Sequence, residues 1–151
     1  MTEEPSVLFV CVKNGGKSQM AAGLMRHAVG DAFEVSSAGT KPGDAVNVLS
    51  AQSLLEVGID ISNEKPRQLT DEMVRNVDLV VVLGRDAHVD PTGGTPVEIW
   101  DIDEPSTRGI DGPERMRLVR DDIAGKVVDL VDRLRLAGPP AGGGVELQPP
   151  V

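Results

Sequence analysis

Apolar runs alternate with polar stretches along the 151-residue chain, and four of these runs predict β-strands. Residues 78–83 form a nearly uninterrupted apolar run, which is typical of a strand that is covered on both faces. Residues 7–10 predict a first strand, and the shorter runs 33–37 and 97–100 predict the second and the fourth. The strands are short and well separated, so the intervening segments must carry the rest of the fold.

Those intervening segments show helical periodicity over residues 18–29, 47–57, 70–76 and 112–136. Ser18 is expected to be the N-cap of the first helix and Gly30 its end, while Thr70 or Asp71 is expected to cap the third. The order β-α-β-α-α-β-β-α predicts an α/β fold, a three-layer sandwich with a four-stranded parallel sheet and helices on both faces. Ligands of such sheets bind beyond the carboxyl ends of the strands.

The composition changes after Gly138, where proline and glycine replace the periodic pattern. We therefore expect a single catalytic domain over residues 1–137 and a flexible Gly/Pro-rich tail over residues 138–151. The first residues are acidic, and no apolar run approaches membrane-spanning length. A single cysteine cannot form an internal disulfide, so a cytoplasmic location is expected.

The charge of the chain narrows the classes of partner. The net charge is −9 and the isoelectric point is about 4.6, which argues against nucleic acid and acidic membranes as partners. The chain has two phenylalanines, one tryptophan and no tyrosine, so platforms for stacking bases are also missing. His27 and His88 lack the spacing of metal ligands, so each is expected to be an ordinary helix or loop residue.

Cys11, the only cysteine, lies where the first predicted strand passes into the loop of residues 12–18. A strand that ends in a glycine-containing loop before a helix gathers free N–H groups and the positive end of a helix dipole at one point. Oxyanions bind at such points, and the same field favours thiolate over thiol. Cys11 is therefore predicted to be a nucleophile beneath a bound tetrahedral anion, and a buried core cysteine is the alternative.

Two interpretations of residues 11–18 differ at Cys11. A Walker-type nucleotide-binding loop, G-x-x-x-x-G-K-[ST], fits except that Cys11 replaces its first glycine, and Asp86 lies late for a magnesium ligand. In a cysteine phosphatase-type loop, the cysteine attacks the central atom of an oxyanion, Lys17 is the cation, and Ser18 hydrogen-bonds the thiolate. We favour the second interpretation, and a non-catalytic nucleotide-binding module stays as an alternative.

Residues 7–23, VLFVCVKNGGKSQMAAG, resemble the opening of the low-molecular-weight tyrosine phosphatase superfamily, and SQMA at 18–21 resembles its arsenate reductase branch. Further matching segments follow in order at residues 37–40, 58–62, 78–83 and 100–105. The resemblance covers about residues 7–135. It implies a low-molecular-weight phosphatase-like form of the predicted fold.

The departures from the family pattern point to one branch. Thioredoxin-coupled arsenate reductases carry two further cysteines, and this chain has only Cys11, with Gly84 at the end of the third strand. Lys17 replaces the usual loop arginine, and the tyrosines of the phosphatase members are missing. Together these features resemble the arsenate–mycothiol transferases of actinobacteria. A low-molecular-weight protein tyrosine phosphatase is the alternative. Ala22 stands where the thioredoxin-coupled members have a carboxylate that helps hold a structural cation, so the resemblance implies no metal site.

The resemblance implies arsenate as substrate, mycothiol as co-substrate, no tightly bound cofactor and a mycoredoxin-type protein downstream. It assigns catalytic roles to Cys11, Lys17, Ser18 and Glu104, the last as the general acid before a proline, with Asp101 and Asp103 close enough to compete. The expected oxyanion-binding residues are Val12, Lys13, Asn14, Gly15, Gly16 and Lys17, and Asn14 is expected to fix the loop. Arg67, Arg85 and Arg108 are expected near the mouth of the site as candidates for binding the external thiol, and the sequence does not choose among them.

Overall fold

A computed structural model describes residues 4–137 of the chain. The predicted tail at 138–151 lies outside the described residues. The four strands are β1 (Ser6–Cys11), β2 (Glu34–Gly39), β3 (Leu79–Leu83) and β4 (Val97–Trp100). The four helices are α1 (Lys17–Val29), α2 (Val48–Leu55), α3 (Asp71–Arg75) and α4 (Gly112–Ala137).

The strands form one parallel sheet in the order β2-β1-β3-β4, which confirms the predicted four-stranded parallel sheet. Every residue of β1 is buried, because β1 lies between β2 and β3 and is covered on both faces. In the parallel register Cys11 pairs with Gly39, so the carboxyl ends of β1 and β2 meet. That end of the sheet carries the loop in which the sequence places the reactive thiol.

Helices cover both faces of the sheet, as predicted. On one face α1 and α2 pack against α4, and the core there includes Phe9, Met20, Leu54 and Ile123. On the other face α3 and its flanking loops pack against β1 and β3 through a smaller apolar cluster. Phe9 and Trp100 contact each other at a ring-centroid distance of 5.7 Å beneath α4. The larger core therefore fixes α1 and α4 relative to the carboxyl edge of the sheet.

One predicted helix cap is wrong. α1 begins at Lys17 with Gly16 as its N-cap, and Gly16 has no side chain to bond the helix. Ser18 lies inside the first turn and is fully buried. Its hydroxyl bonds side chains of the preceding loop instead of the helix N–H groups. By contrast Gly30 ends α1, and Thr70 caps α3 by accepting from the Met73 N–H.

The structure also contains two 3₁₀ helices, which the periodicity does not predict. One follows α1 at Gly30–Ala32, and the other is Pro105–Arg108. The second one matters for function because it begins directly after Glu104. Within residues 4–137 no helix combines the length and the apolar character that crossing a membrane requires.

Candidate active site

The loop between β1 and α1 forms one wall of a cavity of about 820 Å³. That volume lies within the range of about 300–1,000 Å³ that is typical of small-molecule sites, and it exceeds what one tetrahedral oxyanion fills. The wall includes loop residues, α2, the end of β3 and α4, namely Cys11, Val12, Lys13, Gly15, Gly16, Lys17, Met20, Gly43, Asp44, Ala45, Asn47, Ser50, Leu83, Gly84, Asp86, Arg115, Met116 and Val119. The predicted loop therefore opens onto a space at the carboxyl edge of the sheet.

Carbonyl groups of the loop are bonded on its outer side. N–H groups of residues 40–47, which follow β2, donate to these carbonyl oxygens over 2.7–3.1 Å. The pairs are Thr40 to Cys11, Lys41 to Val12, Gly43 to Lys13 and Asn47 to Gly15. By contrast the N–H groups of Lys13, Gly15 and Gly16 donate to no protein acceptor within residues 4–137. Free N–H groups that line a cavity, with the start of a helix beside them, form an anion-binding surface.

Gly15 and Gly39 allow the loop to pack closely against the neighbouring backbone. A Cβ atom on Gly39 would lie 2.6 Å from the carbonyl oxygen of Val12 and 2.9 Å from the Cβ of Asn14. One on Gly15 would lie 2.9 Å from the carbonyl oxygen of Ala45. Because these neighbours are mostly backbone atoms, they have little freedom to move aside. Any larger residue at position 39 would push the loop away from the sheet.

The thiol of Cys11 receives two contacts from behind the cavity. Its sulfur lies 3.0 Å from the Ser18 Oγ, and the Asn14 N–H donates to it over 3.3 Å. Asn14 and Ser18 are fully buried and do not line the cavity. Of the six positions expected to bind the oxyanion, Asn14 is thus the one whose N–H is directed to the sulfur.

The direction of the Ser18 hydroxyl follows from the amide of Asn14. The backbone N–H of Arg67 donates to the Asn14 Oδ1 over 2.9 Å, and a donor fixes that atom as the oxygen. The Asn14 Nδ2 then donates to the Ser18 Oγ over 2.7 Å. Since the Ser18 oxygen is already accepting, its own proton is available to the sulfur of Cys11. The Ser18 hydroxyl and the Asn14 N–H are therefore both directed at the sulfur of Cys11.

Asn14 is held in an unusual backbone conformation, with a φ of +53°. Asparagine tolerates this left-handed region better than most residues that carry a side chain. The buried Gln19 adds a further bond, donating to the carbonyl oxygen of Asn14 over 3.2 Å and to that of Lys65 over 3.3 Å. The segment around residues 65–67 thereby anchors the loop from the side opposite the cavity.

Glu104 lies between two cations of the cavity wall. Its Oε2 accepts from the Arg115 Nε over 2.9 Å, and its Oε1 lies 3.9 Å from the Lys17 Nζ. The bond from Arg115, followed by one from the Ser106 hydroxyl, lowers the pKa of Glu104 to about 2. In the free protein Glu104 is therefore ionised at neutral pH.

The competing carboxylates, Asp101 and Asp103, have other partners. Asp101 forms a two-bond pair with Arg85, and Asp103 forms one with Arg108. Neither aspartate lines the cavity; Glu104 is not part of the wall either, but it contacts Lys17 and Arg115, which are. The bonds from Arg85 and Arg108 lower the pKa of both aspartates. The carboxylates that do line the cavity are Asp44 and Asp86, which the sequence interpretation did not consider as acids.

Comparison with known proteins identifies the family. A family model described as low molecular weight phosphotyrosine protein phosphatase matches residues 6–137. The chain belongs to this family. It is 36% identical to an arsenate reductase of Staphylococcus aureus over 121 residues, covering 78% of this chain and 89% of that protein. It is 31% identical to the arsenate reductase of Bacillus subtilis over 137 residues, covering 86% and 97%.

A solved structure supports the same assignment. The thioredoxin-dependent arsenate reductase of Corynebacterium glutamicum superposes with a TM-score of 0.72 and 31% identity. The match covers 89% of this chain, which spans 63% of that protein's length. The similarity confirms the low-molecular-weight phosphatase-like fold expected from the loop and the segments that follow it.

None of the three arginines expected near the mouth of the site in this family member lines the Cys11 cavity. Arg67 donates to the Ser37 carbonyl oxygen and lines a separate polar cavity beside β2. Arg85 and Arg108 are paired with aspartates. The arginine that does line the cavity is Arg115, in the first turns of α4. The sequence offered one signal for Arg115: it directly precedes Met116, the first core residue of α4, and so lies next to the buried side of that helix.

Proposed function

We propose that this protein is a thiol-dependent arsenate transferase of the arsenate–mycothiol type, working in the cytoplasm. Cys11 attacks arsenate, and mycothiol then takes up the arsenic. One observation carries the proposal: the only cysteine of the chain lies in the wall of a cavity far larger than an oxyanion. A single thiol cannot close a disulfide within the chain, so a second thiol must enter the cavity from outside.

In the first step the arsenate monoanion binds to the free loop N–H groups and to Lys17. The Cys11 thiolate forms a sulfur–arsenic bond while an arsenic–oxygen bond breaks opposite to it. The departing oxygen carries one proton, takes a second from another oxygen of the same arsenate, and leaves as water. The monoanion and the thiolate become a dianionic adduct and one water, so protons and charge balance without an external acid.

Glu104 is the group that we propose moves this second proton. Because it is ionised in the free protein, it cannot bring a proton to the site. An ionised carboxylate can accept the proton from the bound monoanion, whose negative charge raises the pKa of the carboxylate, and pass it to the departing oxygen. Its bonds to Arg115 and Ser106 keep it in place.

In the second step the mycothiol thiolate attacks arsenic and releases the Cys11 thiolate. Arsenic stays pentavalent in both steps, so the protein undergoes no net redox change. Ser18 and the Asn14 N–H assist, because they stabilise the sulfur of Cys11 as a leaving thiolate. The arseno-mycothiol adduct would be reduced afterwards by a mycoredoxin-type protein that uses thiols as the reductant.

Mass spectrometry of the products tests the proposal. Protein, arsenate and purified mycothiol should yield an arseno-mycothiol adduct in an amount that exceeds the protein over many turnovers. Supplying thioredoxin, its reductase and NADPH in place of mycothiol should give little turnover. Arsenate-dependent NADPH oxidation with thioredoxin alone, at a rate matching that with mycothiol, would exclude the external-thiol mechanism.

A phosphatase remains a second candidate, because the family model is that of phosphotyrosine phosphatases. The same thiolate, loop and Ser18 could hydrolyse a phosphate ester. The chain, however, has no tyrosine to contact an aromatic substrate, and Lys17 offers no planar pair of donors. Turnover of p-nitrophenyl phosphate at a rate similar to arsenate transfer would favour this candidate.

Glu104→Gln is expected to lower the rate of adduct formation by about 10²-fold, the lower end of general acid–base effects. The amide still accepts a hydrogen bond from Arg115 but cannot accept and return a proton. Rapid-quench mass spectrometry of the Cys11–arsenic adduct measures this step.

Asp103→Asn is the matched control for this change, because its carboxylate pairs with Arg108 outside the cavity. It should react at nearly the wild-type rate. An unimpaired Glu104→Gln variant would exclude Glu104 as the proton relay and direct attention to Asp86 and Asp44 in the cavity wall.

A further inference from the structure

Besides Lys13 and Lys17 of the loop, the cavity wall contains a third side-chain cation, Arg115. Arg115 comes from the first turns of α4, and about one third of its side chain is exposed. Its Nε donates to the Glu104 Oε2, while the Glu104 Oε1 faces the Lys17 Nζ. One carboxylate therefore lies between a lysine ammonium and an arginine guanidinium at the same cavity.

Arg115 differs from Arg85, Arg108 and Arg117 in how its donors are used. Arg85 and Arg108 each donate twice, and Arg117 donates three times, to a carboxylate outside the cavity. Arg115 donates to protein only through Nε, and within the described part of the chain neither of its terminal Nη groups has an acceptor. A guanidinium that lines a cavity with two unused terminal donors is suited to a planar, two-bond contact with an anion.

Lys17 cannot supply such a contact. An ammonium group is a point charge, whereas two oxygens of a tetrahedral anion match the parallel donors of a guanidinium. The 3.9 Å distance between the Lys17 Nζ and Glu104 is also long for a hydrogen bond. The loop therefore provides charge and backbone donors, and the paired donors must come from another element.

We propose that Arg115 is the arginine of the oxyanion site: its two Nη groups bind two oxygens of the anion while Glu104 holds the guanidinium through Nε. Glu104 is thus a positioning residue for Arg115 besides its proposed part in proton transfer. Only the identity of the anion as arsenate rests on the proposed function. The binding of a tetrahedral anion by Arg115 does not depend on it.

The charge of the cluster agrees with this assignment. Lys17 and Arg115 carry one positive charge each and Glu104 carries one negative charge, so the three side chains together carry one positive charge at neutral pH. Lys13, Asp44 and Asp86 also line the cavity, so the positive charge is local to the pair formed by Lys17 and Arg115. The loop N–H groups lie in the same wall, and together with these two cations they suit an oxyanion bound there.

Protection of Cys11 from alkylation by iodoacetamide tests the proposal without requiring turnover. In the wild type, arsenate in the absence of thiol should slow alkylation in a concentration-dependent way. For Arg115→Gln the half-protecting arsenate concentration should rise by about 10- to 100-fold, which corresponds to the loss of charge-assisted hydrogen bonds. Arg115→Lys keeps the charge but not the paired donors, so its value should lie between the two.

Arg117→Gln is the control. Arg117 lies two residues further along α4 and pairs with Glu56 outside the cavity, so the change removes the same charge without touching the cavity wall. It should give the wild-type concentration. If Arg115→Gln does not fold, Arg115→Lys decides, since equal protection in Arg115→Lys and wild type would exclude the paired-donor contact. Equal protection in a folded Arg115→Gln variant would overturn the proposal entirely.

The outcomes separate this proposal from the arsenate transferase function. Protection that depends on Arg115, without transfer of arsenic to mycothiol, would support the anion contact and overturn the transferase function. Transfer to mycothiol whose dependence on arsenate concentration is unaffected by Arg115→Gln would do the reverse. Arsenate transfer is measured in the same preparations, so both results are obtained from one set of proteins.

Discussion

Replacing Cys11 with serine is expected to abolish arsenate-dependent consumption of mycothiol, with a loss of more than about 10⁴-fold, as for other catalytic nucleophiles. The serine hydroxyl stays protonated at neutral pH and cannot form the sulfur–arsenic bond. The fold should change little, because serine is slightly smaller and its oxygen can still accept from the Asn14 N–H. Mycothiol consumption and product mass spectra measure the loss.

Two controls make this result specific. The melting temperature of Cys11→Ser should stay close to that of the wild type, and sulfate should still bind by calorimetry, because the loop N–H groups and Lys17 are unchanged. The variant should also lose all labelling by iodoacetamide, since the chain has one cysteine. Substantial arsenate transfer by a folded Cys11→Ser protein would disprove the covalent mechanism.

The sequence predicts the strands and helices well because they depend on local patterns of apolar residues. β1, which is buried throughout, and β3, which is buried except for the half-buried Leu79, come from continuous apolar runs, and α4 comes from periodic apolar residues. Gly30 ends α1 and Thr70 caps α3 for reasons that depend only on their neighbours in the chain. The position of Cys11 at the carboxyl edge of the sheet follows from the same patterns.

Side-chain contacts between distant segments could not be predicted in this way. The sequence predicts Ser18 as an N-cap, but in the structure its hydroxyl oxygen accepts a hydrogen bond from the buried side-chain amide of Asn14. That amide is in turn oriented by the Arg67 N–H, which lies 53 residues away along the chain. No periodicity encodes such a contact. The Ser18 prediction failed because α1 begins one residue earlier, at Lys17, and the Ser18 hydroxyl bonds Cys11 and Asn14 instead of the helix N–H groups.

The pairing of carboxylates with arginines is a second feature that could not be predicted from the sequence. The residues WDIDEPSTR offer three carboxylates and one arginine without indicating which of them pair. In the structure two of these carboxylates pair with Arg85 and Arg108, and Glu104 pairs with Arg115 from the next helix. The cation that lines the cavity therefore differs from the ones that sequence position suggested. The choice depends on how α4 approaches the sheet.

Lys17 is the loop residue whose replacement should have the second-largest effect. Lys17→Ala is expected to lower arsenate turnover by about 10²- to 10³-fold, as for removal of one oxyanion-stabilising group. The reason is that Lys17 lines the cavity, and its weak 3.9 Å contact with Glu104 leaves it free to move to a bound anion. Steady-state mycothiol consumption at varied arsenate concentration separates binding from turnover.

Lys17→Arg tests why the loop carries lysine where the family has arginine. The arginine variant should keep the oxyanion bound and raise activity towards p-nitrophenyl phosphate above that of the wild type, because paired donors suit the oxygens of a phosphoryl group in transfer. Lys41→Ala, which removes an exposed lysine outside the cavity wall, is the matched control and should behave as the wild type. If Lys17→Ala were as active as Lys41→Ala, the ammonium would have no catalytic role. In that case the charge of the bound anion would be stabilised by Arg115, Lys13 and the loop N–H groups.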